Sequence, residues 1–474
     1  MRKSWNSSLD SWAKWGMRMV LARKFYYSGM LLLLVLMIVG ELIWLPDPLR
    51  FGGGTYWIDA IDYAIYVLAL VPVMWLVGGV RRLWAEKRGG VRVLLSLVVL
   101  VNLCSAILLV TIPKTITYSG GALALSWLLV LADLGVQERQ RRRVPRRTLW
   151  TFGLSLVVLV LLFCPTNYLV TYPGLTLPMN RYAQAGGGEA HGEITGVLVF
   201  ERPAFPIDWV YAKLFKDYSF EIENLGMSIS EYNQEVRTEK EEANAAGSAI
   251  AFQKVGLGKG ITSEGVRITA ILKISQANEV LQPGDVIVSL GGKGIRTVEE
   301  LSAQMKGVQP GQPVSVTVKR DGTSRELSVK TRPSSDDPNR ASIGILIANQ
   351  MNYDIPDTVQ YHNYFLHEGG PSHGAMLALT LIDQLTPCGV TYGHHVAGTG
   401  TIEPDGSVGA VGGLEQKAYT ISRTDADVFF VPESNEADAR KGAPELNIVP
   451  VRTLDDILNW LKAHPQPGYE AACR

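Results

Sequence analysis

The chain has 474 residues, which is enough for about three domains of the usual size. Its 45 basic residues are balanced by 45 acidic ones, and this excludes a protein that binds nucleic acid mainly by neutralising phosphates. Apolar runs dominate up to about residue 172, whereas the remainder has the glycines, prolines and charges of a soluble protein.

Five apolar runs in the first part are long enough to cross a bilayer as helices. None has a charged residue deep in its centre, where a transport site would lie, so anchoring is the simplest role. We therefore predict a membrane domain of about five transmembrane helices over residues 1–172, with the lipid bilayer as a partner. The runs cover residues 28–45, 61–80, 91–112, 120–136 and 149–171.

The connections between these runs alternate in charge. Basic residues are concentrated in the N-terminal tail, in the second connection and in the fourth, whose sequence is QERQRRRVPRR. Basic segments stay on the cytoplasmic side of a bacterial membrane. The pattern predicts a multi-pass protein of the bacterial cell membrane with a cytoplasmic N-terminus and with everything after the fifth run extracytoplasmic.

Cysteine usage adds little to this prediction. Cys388 and Cys473 lie after the last apolar run, where an oxidising compartment would allow one bridge, although two free thiols are the simpler expectation.

Residues 173–253 are predicted to be a linker and the N-terminal part of the extracytoplasmic region. Residues 173–193 are rich in glycine and polar residues and are expected to leave the membrane as a linker. ITGVLVFERP is typical of a strand and DWVYAKLF of a short helix, and the charged stretch 231–248 is expected to form a solvated helix.

Residues 254–333 form a strand-rich unit with one good helix, TVEELSAQMKG. Asp321 and Gly322 stand between two alternating stretches, which is a strong signal for a two-residue hairpin. The stretch LQPGDVIV, residues 281–288, resembles the phrase that PDZ domains carry before a strand. This resemblance implies that an extended peptide adds to the sheet in a groove beside the helix. It also implies that Gly256, Leu257 and Gly258 hold a peptide carboxylate.

Ser372 stands in EGGPSHG and fits the loose pattern G-x-S-x-G of a nucleophile at a strand-to-helix turn. A histidine base would have to be His394 or His395, and their adjacent positions on a strand let at most one of them approach the serine. No metal is expected, since His367-Glu368 is not followed by the second histidine of H-E-x-x-H.

A lysine is the other candidate base. Pro371 suits the first position of the helix that AMLALTLIDQL predicts, so Ser372 lies at a helix N-terminus, where backbone N–H groups stabilise an oxyanion. Further on, a turn at Asp405-Gly406 and a break at Gly412-Gly413 precede a helix that carries Lys417. A lysine acts as a base only when burial or positive potential lowers its pKa.

The blocks GGPSHG, LIDQLTP, VAGTGTIEPDGSVGAVGGLEQK and DVFFVPESN closely resemble the proteolytic domain of the Lon family of Ser-Lys proteases. The resemblance implies that Ser372 is the nucleophile, Lys417 the general base and Thr399 a helper beside them. The backbone at Gly370 and Pro371 would shape the oxyanion hole. His373 replaces the small residue, usually alanine, that follows the serine in relatives, and its expected role is packing, with tuning of the Ser-Lys pair as the alternative.

The order of the segments is similar to that of bacterial membrane-anchored PDZ–Lon peptidases, although those usually have a single membrane span. The expected architecture is a multi-domain chain with an N-terminal α-helical membrane bundle, a β-rich PDZ domain over 254–333 and an α+β Lon-type proteolytic domain over 340–466. The sequence has no G-x-x-x-x-G-K-[ST] motif for ATP.

The resemblance therefore implies an ATP-independent serine endopeptidase that cleaves extracytoplasmic peptides or membrane-associated proteins without a cofactor. Its partners would be a peptide or protein substrate and possible further copies of itself, and no nucleic acid is expected. Two alternatives remain. One is a non-catalytic PDZ peptide-binding module with a decayed protease domain, and the other is a Ser-His esterase that uses His394 or His395.

Overall fold

The computed structural model describes residues 2–52, 54–112, 116–140, 144–223, 229–273, 275–334, 337–366 and 369–469.

The N-terminal region consists of helices. Within the described residues, five helical stretches are long and apolar enough to cross a membrane, and they coincide with the five predicted runs. They cover Val20–Glu41, Trp57–Ala85, Gly89–Thr111, Thr117–Arg139 and Arg146–Phe163. The helices that contain them are α1 (Arg2–Glu41), α2 (Trp57–Ala64), α3 (Leu70–Ala85), α4 (Gly89–Thr111), α5 (Ile116–Arg139) and α6 (Arg146–Phe163), and strands β1 (Arg50–Phe51) and β2 (Thr55–Tyr56) lie between α1 and α2.

The segment after α6 differs from the prediction. The fifth run was expected to extend to residue 171 and to be followed by a linker over 173–193, but α6 ends at Phe163 and Tyr168–Pro178 forms strand β3. Pro165 lacks the N–H that a continuing helix needs, and the following residues YLVTY are β-branched and aromatic types that favour a strand. Residues Leu175, Leu177 and Met179 are fully buried, so this stretch belongs to a protein core.

The chain continues with short elements up to a long helix. They are α7 (Met179–Tyr182), β4 (Ala183–Ala185), β5 (Glu193–Pro203), α8 (Asp208–Leu214), β6 (Ser219–Ile222) and α9 (Ile229–Lys254). Strand β5 and helix α8 lie where the sequence predicts them. Helix α9 was expected to be solvated, but only its charged first half is exposed, whereas Ala249, Ile250 and Phe252 in its second half are buried.

A smaller β unit follows α9. Its elements are β7 (Gly260–Ile271), β8 (Val286–Leu290), β9 (Lys293–Gly294), α10 (Val298–Met305), β10 (Pro313–Arg320), β11 (Thr323–Lys330), β12 (Arg332–Pro333), β13 (Ala341–Ser342) and β14 (Ile345–Asp354). The main strands are arranged in the order β11-β10-β8-β7-β14. The predicted hairpin joins β10 to β11, and Asp321 and Gly322 have φ angles of 51° and 77°, as a type I′ turn requires.

The remaining elements complete a larger unit. They are β15 (Val359–Tyr361), α11 (Gly374–Leu385), β16 (His395–Gly398), β17 (Thr401–Ile402), β18 (Val408–Gly409), α12 (Leu414–Ser422), β19 (Val428–Pro432), α13 (Glu436–Gly442), β20 (Ile448–Val451) and α14 (Leu454–Ala463). The large sheet has the order β20-β19-β16-β5-β3-β6, and β3 runs antiparallel to β5 while β5, β16, β19 and β20 are parallel. Strands that precede and follow the smaller β unit thus share one sheet.

The connection between the first two membrane helices packs against this larger unit. Trp44 is fully buried, and its indole N–H donates to the hydroxyl of Tyr218 at 3.3 Å. The Asp47 carboxylate accepts hydrogen bonds from the backbone N–H and the hydroxyl of Thr176, at 3.0 and 3.1 Å. At α2, Asp62 accepts a hydrogen bond of 2.8 Å from the backbone N–H of Phe365. The segment between the first two candidate membrane spans is therefore in direct contact with the large sheet.

Candidate active site

Ser372 lies in a short 3₁₀ turn, Pro371–His373, that leads directly into α11. Pro371 occupies the first position of this turn, where its missing N–H costs no hydrogen bond. Residues Gly374 to Gln384 of α11 are all buried, so the helix fixes the turn from within the core. Ser372 itself is half-buried at the start of this helix.

The backbone carbonyl of Ser372 accepts hydrogen bonds from two donors in the segment that directly follows strand β16. The backbone N–H of Gly400 donates to it at 2.8 Å, and the Thr399 hydroxyl donates to it at 3.0 Å. The backbone N–H of Ala375 donates in turn to the carbonyl of Gly400 at 3.1 Å. A Cβ at position 400 would lie 2.4 Å from the side chain of Val408, so the packing of β18 against this segment requires glycine there.

Lys417 approaches the same segment from α12. Gly413 precedes this helix with a φ of 65°, and a Cβ at that position would lie 2.8 Å from Val199. The Lys417 side chain is 1% exposed, and its Nζ donates to the Thr399 Oγ1 at 3.3 Å. Thr399 thus contacts Lys417 with the same hydroxyl that contacts the backbone of Ser372, and the structure brings the three predicted residues together.

The environment of Lys417 disfavours its charged form. No carboxylate pairs with Lys417 in the described part of the chain, and burial lowers the pKa of its amine to about 7. An ordinary lysine has a pKa near 10.5 and is almost fully protonated at neutral pH. About half of Lys417 is neutral at pH 7, and a neutral amine accepts a proton.

The backbone before the serine restricts the possible oxyanion donors. Gly370 adopts an extended conformation, with a φ of −74° and a ψ of −162°. Pro371 has no N–H, so it contributes to an oxyanion hole only by shaping the chain. The backbone N–H groups of Gly370 and Ser372 are the donors that flank it, close to the positive end of the α11 dipole.

The two candidate histidine bases, His394 and His395, make their contacts away from Ser372. His395 contacts the Thr195 hydroxyl at 3.0 Å and the Asp425 carboxylate at 3.0 Å, and the ring of His394 lies against Trp460. None of the hydrogen bonds of either histidine to the described residues involves Ser372. The esterase hypothesis is therefore the weaker one, because neither histidine contacts the described segment around Ser372, whereas Lys417 contacts Thr399, whose hydroxyl holds the backbone of Ser372. His367 and Glu368, the start of the incomplete metal motif, lie outside the described residues.

The structure does not support a carboxylate-binding role for Gly256, Leu257 and Gly258. These residues end helix α9, and their three backbone N–H groups donate to carbonyls of that helix. Leu257 and Gly258 both donate to the carbonyl of Phe252, at 2.9 and 3.2 Å. Gly256, with a φ of 77°, allows the left-handed turn that such a helix end requires, and the sequence alone does not distinguish this turn from an anion-binding loop.

Two features of the site are absent from the sequence predictions. The His373 ring is buried and contacts the side chain of Asn244 on α9, 129 positions away, and no local pattern indicates such a pair. The edge strand beside helix α10 is β14, which the predicted unit 254–333 does not include. The backbone N–H of Val298, at the start of α10, donates to the Asn349 side chain on β14 at 2.7 Å.

Cys388 differs from the simpler expectation of a free thiol, because it is disulfide-bonded. Cys473 lies outside the described residues.

Comparisons with known protein families identify both units. Residues 231–331 match the model of the PDZ domain, and residues 359–463 match the model of the Lon protease (S16) C-terminal proteolytic domain. The chain thus has a helical N-terminal region, a β-rich PDZ domain and a mixed α/β Lon-type domain, and it matches proteins that combine the last two. The C-terminal domain is that of a serine peptidase.

Individual relatives are similar over limited stretches. The Lon protease of Aster yellows witches'-broom phytoplasma is 27% identical over 159 residues, which are 31% of this chain and 20% of that protein. The Lon protease of Clostridium acetobutylicum is 33% identical over 111 residues, which are 22% of this chain and 14% of that protein. Among solved structures, the PDZ domain of the SdrC-like protein from Listeria monocytogenes is 21% identical, with a TM-score of 0.17, and covers 18% of this chain and 90% of that one. The chain therefore spans a fifth or less of the length of these Lon proteases.

Proposed function

We propose that the chain is a membrane-anchored serine endopeptidase that cleaves extracytoplasmic peptides or membrane-associated proteins without ATP. Ser372 is the nucleophile, Lys417 the general base and Thr399 the residue that aligns them. The observation that carries this proposal is the burial of Lys417 with its Nζ on the Thr399 hydroxyl, since this arrangement lowers the lysine pKa into the range of a base at neutral pH.

The proposed reaction begins when neutral Lys417 takes the proton of the Ser372 hydroxyl while the Oγ attacks the peptide carbonyl. The resulting tetrahedral oxyanion is stabilised by the N–H groups of Gly370 and Ser372 and by the N-terminal end of α11. The Lys417 ammonium then gives its proton to the leaving amine, and the C–N bond breaks to leave an ester on Ser372. Lys417 next deprotonates a water molecule that hydrolyses the ester, and the proton returns to the serine oxygen.

Independence from ATP has a simple chemical basis. Peptide-bond hydrolysis needs no energy input, and ATP serves proteases of this class by unfolding the substrate. Because the sequence has no phosphate-binding motif, we propose that the substrates are already extended or unfolded when they reach Ser372.

The placement of the protease domain outside the membrane rests on two observations. The connection between the first and second candidate spans contacts the large sheet that follows the fifth, and these two segments share a side of the membrane if all five cross it. The disulfide of Cys388 suits an oxidising compartment. Together with the basic connections, these features support a cytoplasmic N-terminus and an extracytoplasmic active site.

The PDZ domain is proposed to guide the substrate. Strand β14 is an edge of its sheet and lies beside α10, so an extended segment can add to it through backbone hydrogen bonds. Strand β11 is the opposite edge of the same sheet, but the helix lies beside β14. We therefore assign the peptide groove to β14 and α10.

The test is cleavage of fluorescently labelled casein, an unstructured protein, by the full chain in detergent micelles without ATP. The full chain is used because a fragment without the candidate membrane helices that began near residue 190 would lack strand β3 of the large sheet. We expect Ser372→Ala and Lys417→Ala each to lower kcat/KM by about 10³-fold or more. Lys441→Ala, at a lysine of α13 that is 70% exposed, is the matched control and should leave the rate unchanged.

Three results would contradict the proposal. Activity that survives Ser372→Ala would exclude this serine, and loss of activity in His394→Ala or His395→Ala with retention in Lys417→Ala would support the esterase hypothesis. A folded wild-type chain that binds casein without cleaving it would favour the non-catalytic peptide-binding module.

A further inference from the structure

His373, the residue after the proposed nucleophile, makes polar contacts with both nitrogens of its ring. Its Nδ1 lies 3.2 Å from the carbonyl oxygen of Gly370, and its Nε2 lies 2.8 Å from the side-chain oxygen of Asn244. The ring is 4% exposed and also packs edge-on against Tyr182, with ring centroids 5.3 Å apart. Because burial lowers the pKa of His373 to about 4, the ring is neutral and has one N–H, and with the proton on Nδ1 that N–H donates to the carbonyl of Gly370.

The contact with Gly370 acts on the backbone that enters the serine turn. The carbonyl of Gly370 belongs to the peptide bond with Pro371, which has no N–H to anchor it from the other side. His373 reaches back three residues to hold this carbonyl. It therefore fixes the plane of the peptide bond from which the chain turns into Ser372.

The backbone on the C-terminal side of Ser372 is fixed by different hydrogen bonds. Its own carbonyl accepts the hydrogen bonds of Gly400 and Thr399, which belong to the segment that Lys417 contacts. The serine backbone is thus held after the residue by the Thr399 segment and before it by His373.

Asn244 is itself firmly placed. Its side-chain oxygen accepts a hydrogen bond of 2.9 Å from the Tyr182 hydroxyl, and its carbonyl accepts one of 3.1 Å from the hydroxyl of Tyr361. Helix α9 lies directly against the start of α11 at this level. A Cβ at Gly247 would lie 3.0 Å from the carbonyl oxygen of Gly374, so the two helices meet at a glycine.

We propose that His373 and Asn244 are positioning residues, which hold the backbone before Ser372 so that its hydroxyl faces Lys417. Neither residue touches the substrate or the reacting atoms. This inference rests on the proposed function for its catalytic consequence, but the effect on the backbone is independent of it. The role goes beyond packing, which is the role the sequence predicts for His373.

The test uses variants of the full chain in detergent micelles that separate hydrogen bonding from volume. His373→Met fills the same space without hydrogen bonds, Asn244→Leu removes the partner, and His373→Gln restores a donor. Because a displacement of about 1 Å at a reacting group costs on the order of 10²-fold in rate, we expect the first two variants to lower kcat on casein by about 10-fold to 100-fold. KM should stay within about twofold, since neither residue contacts the substrate.

His373→Gln should recover kcat to within about fivefold of the wild type. Amide hydrogen exchange gives a readout that does not depend on cleavage. We expect faster exchange in residues 369–376 of His373→Met and Asn244→Leu, with the exchange of α12 unchanged, because only the entry to the serine turn is released.

The two proposals fail in different ways. Unchanged exchange in residues 369–376 together with wild-type kcat in His373→Met would overturn the positioning role and leave packing as the explanation. A wild-type chain that does not cleave casein would instead overturn the proposed function, while faster exchange in the two variants would still uphold the role of His373 and Asn244 in holding this backbone.

Discussion

Two basic side chains are buried in the described part of the chain, one among the candidate membrane helices and one in the protease domain, and their surroundings differ. Arg82, on α3, is fully buried and pairs with Asp133 of α5 at 3.1 Å and with Glu86 at 3.4 Å. Gln137 also donates to Asp133 at 2.8 Å. Lys417 is equally buried, but its Nζ donates to the neutral Thr399 hydroxyl at 3.3 Å, and no carboxylate pairs with it within the described ranges.

The difference distinguishes a charged side chain that stabilises the fold from one whose protonation state can change during a reaction. An arginine stays protonated in any protein environment, so burying Arg82 requires the carboxylates that surround it. A lysine can lose its proton instead, and a site without a carboxylate favours that neutral form. Burial without a counter-ion is therefore the environment that the proposed role of Lys417 as a base requires, whereas burial with a counter-ion makes Arg82 a link between helices.

Exchanging lysine for arginine at the active site should have the largest effect. In Lys417→Arg the side chain keeps its charge but can no longer become neutral, so it cannot take the serine proton. We expect kcat/KM on casein to fall by about 10³-fold or more. Arg82→Lys, the reciprocal change at the paired site, should retain activity in the chain that folds, and a substantial rate in Lys417→Arg would contradict the assignment of the base.

Removing the paired cation should mainly affect stability. Arg82→Met leaves the Asp133 carboxylate buried without its partner, and breaking such a pair typically costs about 3–5 kcal/mol. The expected result is a clearly lower melting temperature of the full chain in detergent. The control is Arg88→Met, at an exposed position between α3 and α4, and Asp133→Asn combined with Arg82→Met should recover part of the loss. Equal melting temperatures for Arg82→Met and Arg88→Met would show that the ion pair does not hold the helices together.

Removing the amine of Lys417, which has no counter-ion in the described part of the chain, should raise the stability of the fold instead of lowering it. The pKa of Lys417 falls from 10.5 in an exposed lysine to about 7 in the folded protein, so between these values the unfolded chain binds the extra proton. Stability thus rises with pH across this window, and the cost of burying the amine is greatest at and below pH 7. At about 1.4 kcal/mol per pKa unit, burying the charged amine costs at most about 5 kcal/mol of folding free energy. Lys417→Met should recover part of this free energy.

We expect Lys417→Met to melt at a higher temperature than the wild type at pH 6 and to lose this advantage as the pH approaches 10. Lys441→Met, in which an exposed lysine is replaced, should show no such dependence on pH. A lower melting temperature for Lys417→Met at pH 6 would mean that the buried amine stabilises the fold, which would contradict its assignment as an unpaired base.

The smallest of these effects is the dependence of the cleavage rate on pH. With a pKa of about 7, the neutral fraction of Lys417 falls about tenfold between pH 8 and pH 6, and kcat/KM on casein should fall in proportion. His373 does not contribute in this range, because burial and the nearby Lys240 and Lys417 lower its pKa to about 4. A rate that is equal at pH 6 and pH 8 would be inconsistent with a lysine base of this pKa.

Local signals in the sequence predict the elements around Lys417 well. The Gly412-Gly413 break marks the start of α12, and Pro371 marks the turn before α11. The Asp321-Gly322 pair likewise predicts the hairpin of the PDZ sheet. Each of these features depends on the φ angles of a few consecutive residues, so a short stretch of sequence is sufficient to specify it.

Features that depend on contacts between distant residues cannot be predicted from such local signals. Strand β3 was expected to be part of a membrane run and a linker, because its place between β5 and β6 is set by pairing and not by its own pattern. The second half of α9 is buried only because α11 packs on it, and the bond between His373 and Asn244 joins residues 129 positions apart. The role of Gly256 to Gly258 was mistaken for a related reason, since a glycine-rich turn suits a helix end and an anion site alike.

The central claim is that Lys417 loses its proton near neutral pH, and its pKa can be measured directly. The measurement is an NMR titration of the lysine ¹³Cε resonances in the full chain in detergent, with the signal of Lys417 identified by its absence in Lys417→Arg. The account predicts one lysine with a midpoint near pH 7, well below the value of about 10.4 for exposed lysines. A midpoint near 10 for Lys417 in the folded chain would contradict the account, because such a lysine would remain protonated and could not accept the proton of Ser372.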